Sequence, residues 1–295
     1  MKKAFEKTLG LFFCLTFLIL TALPTAAAAK KTELTAKNVR DKNVNAHPSV
    51  QITYSGQSIA GGGLLINETT YIPLRAFVDT LTDAVITYDA KNREATVTDK
   101  GLTLLVRDGS HVIYANGRAL YSLTPAVVMS DGKMYIPIRT AAKVMGVSVT
   151  WSDKTRSVAL AGKVSYLISG DLYYNADSLY WLSRIISAEA RGEPFAGQIA
   201  VGNVVLNRKE SSQFPNTVKG VIFDTKYGVQ FSPVSSGTIY NTPAASAVMA
   251  AKICLEGYSL STKMLYFYNP TIATSSWIGR TRPYIMTIGN HKFYA

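Results

Sequence analysis

Cysteine and histidine are nearly absent: the 295 residues contain 2 Cys and 3 His. That excludes a disulfide framework and any metal centre built from a dense Cys/His cluster. Acidic groups are also scarce, with 19 Asp and Glu against 31 Lys and Arg, a formal net charge of +12. After residue 23 no apolar run is long enough to span a bilayer, which takes about 20 residues. Apolar residues still make up 47% of the chain, too many for a disordered polymer, and the length suits two domains of ordinary size.

The amino terminus reads as a secretory signal. Lys2, Lys3 and Lys7 precede an apolar stretch over 9–23, and small residues at 26–29 supply an A-x-A site before Lys30 and Lys31. The expected signal peptide is 1–29. Its removal leaves no integral membrane segment and one cysteine, Cys254, so the stability of an exported chain must come from packing. The positive charge suits an anionic polymer or surface. It is spread evenly, with 16 basic and 11 acidic groups in 30–162 and 12 and 7 in 163–295. No concentrated basic tail exists, and nucleic acid is not an expected partner.

Residues 30–48 are polar, Lys-rich and aperiodic, and read as a linker. From 49 to 162 short alternating segments are broken by turns, and a motif recurs. Tyr71-Ile72-Pro73-Leu74-Arg75 returns as Tyr135-Ile136-Pro137-Ile138-Arg139. Each copy leads into a short helical stretch (76–81, 140–145), a strand (85–89, 147–151) and a hairpin partner (93–98, 156–160). The expected unit is therefore strand, short helix, hairpin. Arg75 and Arg139 are placed either to bind an anionic partner or, the favoured reading, to bond backbone carbonyls within the unit. These repeats resemble the copper amine oxidase N-terminal-like domain found on secreted proteins. Copper itself wants imidazole or thiolate ligands. The region offers His111, with His47 in the linker, so a structural or adhesive spacer is expected and no cofactor.

Residues 163–295 carry 19 aromatic side chains against 8 in the equally long 30–162. That excess fits a sugar-binding groove, whose ring faces pack on pyranoses, and equally an ordinary core. Asp177 or Ser178 is placed to cap a helix with an apolar stripe at Leu179, Leu182, Ile185 and Ile186. The same stripe continues to position 189, which is Glu189. Glu193 falls past Gly192 beside Pro194, where the helix should have ended. A carboxyl facing an apolar environment is pushed towards its neutral form and becomes a proton donor. The alternative is a structural ion pair with Arg184, Arg191 or Arg208. Cys254, flanked by Ile253 and Leu255 late in a helix that Thr242 and Pro243 should begin and Gly257 should end, reads as a buried thiol rather than a nucleophile.

The run Ile186-Ser187-Ala188-Glu189-Ala190-Arg191-Gly192-Glu193-Pro194, the later Gln198-Ile199-Ala200-Val201-Gly202-Asn203, Val229-Gln230-Phe231-Ser232-Pro233, Leu265-Tyr266-Phe267-Tyr268-Asn269-Pro270 and Ile288-Gly289-Asn290-His291 resemble the SleB-type cell wall hydrolases, the germination-specific spore cortex-lytic enzymes. The resemblance covers 175–295. It implies an α+β chain: a small β-rich repeat domain (49–162), then a mainly α, lysozyme-like, lytic-transglycosylase-like domain. It implies a secreted, wall-associated peptidoglycan glycosidase of a Gram-positive spore-former, acting in wall remodelling or in cortex hydrolysis during germination. Glu189 matches the family's catalytic Glu. Gln230 and Ser232 are candidates to bond the substrate's N-acetyl groups or the Glu, or simply to stabilise a turn. Tyr268 and Asn269 are expected to line the groove. His291 is either a donor near the site or a core residue. Peptidoglycan is the expected partner, anionic wall polymers a further candidate, and no metal is expected. A lytic transglycosylase needs one Glu, whereas lysozyme-type hydrolysis wants a second carboxylate. The rival is a non-catalytic wall-binding or germination structural protein. With all these motifs in its own half, 163–295 is expected to work without the repeats.

Overall fold

Alternating burial builds the N-terminal half of the computed structural model, which describes residues 37–226, 228–273 and 275–295. The expected signal peptide lies outside them. The first strands are β1 (Ser49–Tyr54), β2 (Gln57–Ser58), β3 (Gly63–Ile66) and β4 (Thr69–Pro73), followed by α1 (Leu74–Leu81). A five-stranded antiparallel meander comes next: β5 (Val85–Asp89), β6 (Glu94–Asp99), β7 (Leu102–Arg107), β8 (Val112–Ala115) and β9 (Arg118–Tyr121). Then come β10 (Val127–Val128), β11 (Met134–Pro137), α2 (Ile138–Met145), β12 (Ser148–Ser152) and β13 (Ser157–Ala161). The second sheet runs β10-β11-β4-β3-β1-β13-β12, with β2 on β1.

The two motif strands lie side by side, antiparallel, in a register that pairs Ile72 with Ile136, Tyr71 with Pro137 and Pro73 with Tyr135. Identical motifs in that register define a local two-fold axis through the isoleucine pair. Each helix starts straight after its proline, whose fixed φ of −59° suits a helix entry. Each buries its i, i+3, i+4 face: Leu74, Phe77 and Val78, and Ile138, Ala141 and Ala142. The strand–helix–hairpin units thus exist, but the hairpins part company. β5–β6 extends into the meander, while β12–β13 joins β1 in parallel. Gly146 ends α2 at φ 67°, and a Cβ there would stand 2.2 Å from the Ser165 carbonyl oxygen, so the chain leaving the repeats can press against the helix end.

Two sequence readings are corrected here. Residues 37–48 are not a free linker. Val39 is buried with Leu64, Ile66 and Tyr71, and the backbone bonds Leu123 and Ser130. Its lack of periodicity reflects packing one side chain at a time onto the sheet. Arg75 and Arg139 are exposed and bond no carbonyl among the described residues.

The C-terminal half holds α3 (Gly170–Tyr173), α4 (Ala176–Ala190), α5 (Phe195–Glu210), α6 (Val218–Ile222), α7 (Ser232–Ser236) and α8 (Ala245–Leu255). A three-stranded antiparallel sheet follows: β14 (Tyr266–Tyr268) and, after α9 (Trp277–Thr281), β15 (Tyr284–Ile288) and β16 (His291–Tyr294), in the order β14-β16-β15. The chain is α+β, β-rich then mainly helical. α4, α5 and α8 pack on one another around Leu182, Ile185, Ile186, Val201, Val204 and Ala250, all fully buried. The small residues of α8 and Gly202 of α5 allow the close approach, since a Cβ on Gly202 would lie 2.7 Å from Cys254 Sγ. Cys254 is a buried free thiol whose pKa burial pushes up.

The halves share a seam. Val112 and Ala119 of the meander belong to the helical core. Arg118 forms a two-pronged ion pair with Glu256 (Nε–Oε1 2.7 Å, Nη2–Oε2 2.8 Å), and Lys143 of α2 reaches the same carboxylate at 3.0 Å. The expected independence of 163–295 therefore concerns a half whose core includes residues of the other.

Candidate active site

Helix α4 begins two or three residues earlier than expected from Asp177 or Ser178. The cap is Asn175, whose side chain accepts from the Ser178 N–H at 2.9 Å. The stripe then runs as the spacing requires, with Leu182, Ile185 and Ile186 fully buried, and Glu189 follows on it in the last turn. Glu189 is half-buried and makes no hydrogen bond or ion pair with any described residue. Burial pushes its carboxyl up to about 7. Near neutral pH it is therefore shared between acid and carboxylate forms, the condition for proton transfer in both directions.

The ion-pair alternative fails. Arg184 lies over the Tyr180 ring at 3.8 Å. Arg191 donates to the Thr242 carbonyl at 3.0 Å and to Ser187 Oγ. Arg208 is buried and donates to the Leu265 carbonyl at 2.7 Å. A cleft of about 470 Å³ runs along the α4 face that carries Arg184, Ala188 and Arg191, with Thr238, Asn241 and Thr242 opposite.

Glu193 is not merely near solvent. Its carboxylate accepts from the Asn290 backbone N–H (2.9 Å) and from Asn290 Nδ2 (3.0 Å). Desolvation raises its pKa, but these bonds and the charge of His291 outweigh it and hold it low. Gly289, at φ 57°, leaves room for this anchor, since a Cβ there would stand 2.0 Å from Glu193 Oε2. The turn that closes β15 on β16 is thereby pinned just past the end of α4.

The other expected site residues divide. Gln230 accepts from Arg208 Nη1 at 3.5 Å and donates to the Gly228 carbonyl at 3.0 Å, a turn-holding role. Ser232 is exposed at the start of α7. Tyr268 is half-buried and stacks on Tyr294 at 5.7 Å. Asn269 accepts from the Thr271 N–H at 2.9 Å, closing a turn. His291 does not line an open groove. It is 6% exposed, its ring edge-on to Phe267 at 5.1 Å, and burial lowers its pKa. The aromatic chain Phe231–Phe267–His291 connects the Gln230 segment to the hairpin that Glu193 anchors. Glu189 is hydrogen-bonded to none of these residues.

Three roles escaped the sequence reading. Arg208 is a buried hub beneath Phe214, Phe231 and Tyr266, and burial lowers its pKa to about 10. Ser187 Oγ accepts from the Ala244 N–H at 3.0 Å and so caps α8, which starts after Ala244 rather than at Thr242. Glu193 is the hairpin anchor. The long contacts of all three cross between elements, and no local spacing announces them.

Residues 192–294 match the Cell Wall Hydrolase family and residues 56–160 the Copper amine oxidase N-terminal domain. The C-terminal half is a cell wall hydrolase domain of the spore cortex-lytic type. The spore cortex-lytic enzyme of Bacillus cereus is 42% identical over 120 residues, which are 41% of this chain and 45% of that protein. That of Bacillus subtilis is 41% identical, over 38% of its length. The chain thus spans less than half of these curated relatives. A solved structure, the catalytic domain of the germination-specific lytic transglycosylase SleB from Bacillus anthracis, is 42% identical over 41% of this chain and 97% of that one, with a TM-score of 0.38. The repeats do not fit the copper that their family name mentions. His111 Nδ1 is bonded to the Ser122 carbonyl and His47 Nε2 to the Asp41 carbonyl. No three His, Cys, Asp or Glu side chains converge among the described residues. Nor, among them, is any helix long and apolar enough to cross a membrane.

Proposed function

We propose that the chain degrades peptidoglycan by cleaving its MurNAc–GlcNAc glycan backbone as a lytic transglycosylase, exported to the wall or the spore cortex of a spore-forming bacterium. The observation that carries the reading is Glu189: a carboxyl on an apolar helix face, without a partner, poised at about 7. In its acid form it gives a proton to the glycosidic oxygen as the bond to the anomeric carbon breaks. As carboxylate it then takes the proton from the C6 hydroxyl of the same muramyl sugar, whose oxygen attacks C1. The products are a free 4-hydroxyl and a 1,6-anhydro end, and Glu189 is restored.

A water-using hydrolase wants a second carboxylate across the bond. The other acidic groups in this half are engaged elsewhere or exposed on the first turns. Asp177 accepts from Trp181 Nε1, Glu193 from Asn290, Asp224 from the Lys226 N–H, Glu210 pairs with Lys209 and Glu256 with Arg118. Asp171 is exposed in α3. That inventory supports the single-carboxylate route. Mass spectrometry of muropeptides after digestion tests it. Anhydro ends that resist borohydride are expected, and reducible ends would replace the transglycosylase with a hydrolase.

Sugar transfer through a protonated Glu needs no Lewis acid. His47, His111, His291 and Cys254 lie in separate segments of the chain, so wall solubilisation is expected to survive exhaustive chelation. The check is turbidity loss of purified walls with and without EDTA. Loss that one specific metal restores would overturn the general-acid reading.

A further inference from the structure

The local two-fold of the repeats creates two grooves that the catalytic reading does not use. The first, of about 680 Å³, has Leu74 and Ile86 on its floor, Tyr88 at its side and Arg75 on its rim. The second, of about 600 Å³, repeats each element with Ile138, Val149, Trp151 and Arg139. The correspondence extends to the strand pairing, since Tyr88 faces Ala95 as Trp151 faces Val158, and both small partners line their grooves. Each groove is closed by the other repeat: Tyr135 walls the first and Thr70 the second.

The chemistry is the same at both sites. Leu74 and Ile138 are buried and give an apolar floor. Tyr88 is 52% exposed, a large cost for a ring with no role in the core. The Trp151 ring is fixed by its Nε1–H bond to Asp153 Oδ1 at 2.7 Å. Neither guanidinium has a hydrogen bond or ion-pair partner among the described residues. A flat aromatic face beside an unpaired guanidinium is complementary to a pyranose that carries an anionic substituent. A purely structural Arg would have bonded backbone carbonyls, and a purely apolar partner would leave both charges unanswered.

We propose that the two grooves are a pair of binding subsites for the acidic glycan strand of the wall, with sugars against Tyr88 and Trp151 and peptide-stem carboxylates on Arg75 and Arg139. Tyr258, from the catalytic half, lines the second groove, so a strand held there lies against the unit that carries Glu189. The repeats then act as a substrate grip, with no need for a metal. The inference stands apart from the catalytic reading, because the grooves bind glycan whether or not Glu189 turns it over.

The test is pelleting of the full chain carrying Glu189→Gln with purified sacculi stripped of wall phosphate polymers. Adding Arg75→Gln with Arg139→Gln, or Tyr88→Ala with Trp151→Ala, is expected to weaken retention about tenfold or more, the scale of losing anchor contacts. Melting temperature verifies the fold. A fluorescence change on titrating soluble glycan strands, absent in Trp151→Phe, reports the second groove even where a double variant is destabilised. Undiminished retention in both double variants overturns the proposal. So does retention that appears only on walls still bearing phosphate polymers, which would make those the ligand. A self-association that the variants abolish while wall binding persists would make the grooves a contact between copies.

Discussion

Glu189→Gln is expected to abolish wall solubilisation and, at the same time, to make the protein more stable at alkaline pH. The two effects have one cause. Desolvation raises the Glu189 carboxyl to about 7 in the folded chain, against about 4.3 when unfolded. Between these values the native state holds a proton that the unfolded state has released. Stability is therefore intact below about pH 4 and declines as pH rises towards 7, where the buried group must ionise. A shift of this size amounts to roughly 4 kcal/mol above pH 7, before discounting for partial exposure. Gln keeps the shape, cannot ionise and cannot deliver a proton. Denaturant melts of both proteins should show a gap that is small at pH 5 and wide at pH 8. The activity profile of the wild type should fall on the alkaline side with a midpoint near 7. A folded Glu189→Gln protein that lyses walls normally would remove Glu189 from the mechanism. Equal stability at both pH values would show that the carboxyl is not desolvated.

Legibility in the sequence followed the range of the interaction. The α4 stripe is local: spacings of seven, four and three from Leu182, Ile185 and Ile186 placed residue 189 on the buried face, and the structure puts a carboxyl without a partner among the described residues there. The doubled proline motif likewise announced two helices, expected over 76–81 and 140–145, and the structure starts them two residues earlier, at Leu74 and Ile138. What spacing could not carry was anything joining distant segments. Glu193 reaches Asn290, Ser187 caps a helix over fifty residues away, and Arg208 gathers three aromatic rings from different elements. The choice left open for His291, donor near the site or core residue, turned on contacts of the same long range: its partners are rings on β14 and β16, which bury it. The polar run 37–48 lacked periodicity because single side chains such as Val39 pack onto the sheet, not because it is free.

The seam between the halves is the place where one substitution should cost most stability. Arg118 and Glu256 side chains are only 5% and 3% exposed, and the guanidinium also lies over Tyr173 at 3.4 Å. Desolvation pushes the Glu256 carboxyl up, but bonds from Arg118, Lys143 and Tyr174 outweigh it and hold it below the ordinary range. Glu256→Gln leaves Arg118 as an uncompensated buried charge, a loss of about 3–5 kcal/mol, whereas Arg118→Ala leaves Glu256 the Lys143 ammonium at 3.0 Å and costs less. Glu256→Gln should therefore lower the melting temperature by about 10 °C, at the few degrees per kcal/mol expected for a chain of this size, and Arg118→Ala by less. The double variant should cost little more than Glu256→Gln alone, because neither charge is then stranded. The sign with pH is opposite to that of Glu189. A depressed carboxyl pKa gives stability that is present above the unfolded value near 4.3 and is lost as pH falls through the folded value. The difference between wild type and Glu256→Gln should thus shrink on acidification below about pH 4, while the Glu189→Gln difference shrinks from pH 7 downwards and closes near pH 4. Additive single and double losses in a double-mutant cycle would mean that the ion pair does not couple the two halves. In that case the repeats would be held to the helical core by Val112, Ala119 and the Tyr121–Tyr258 ring contact at 4.4 Å.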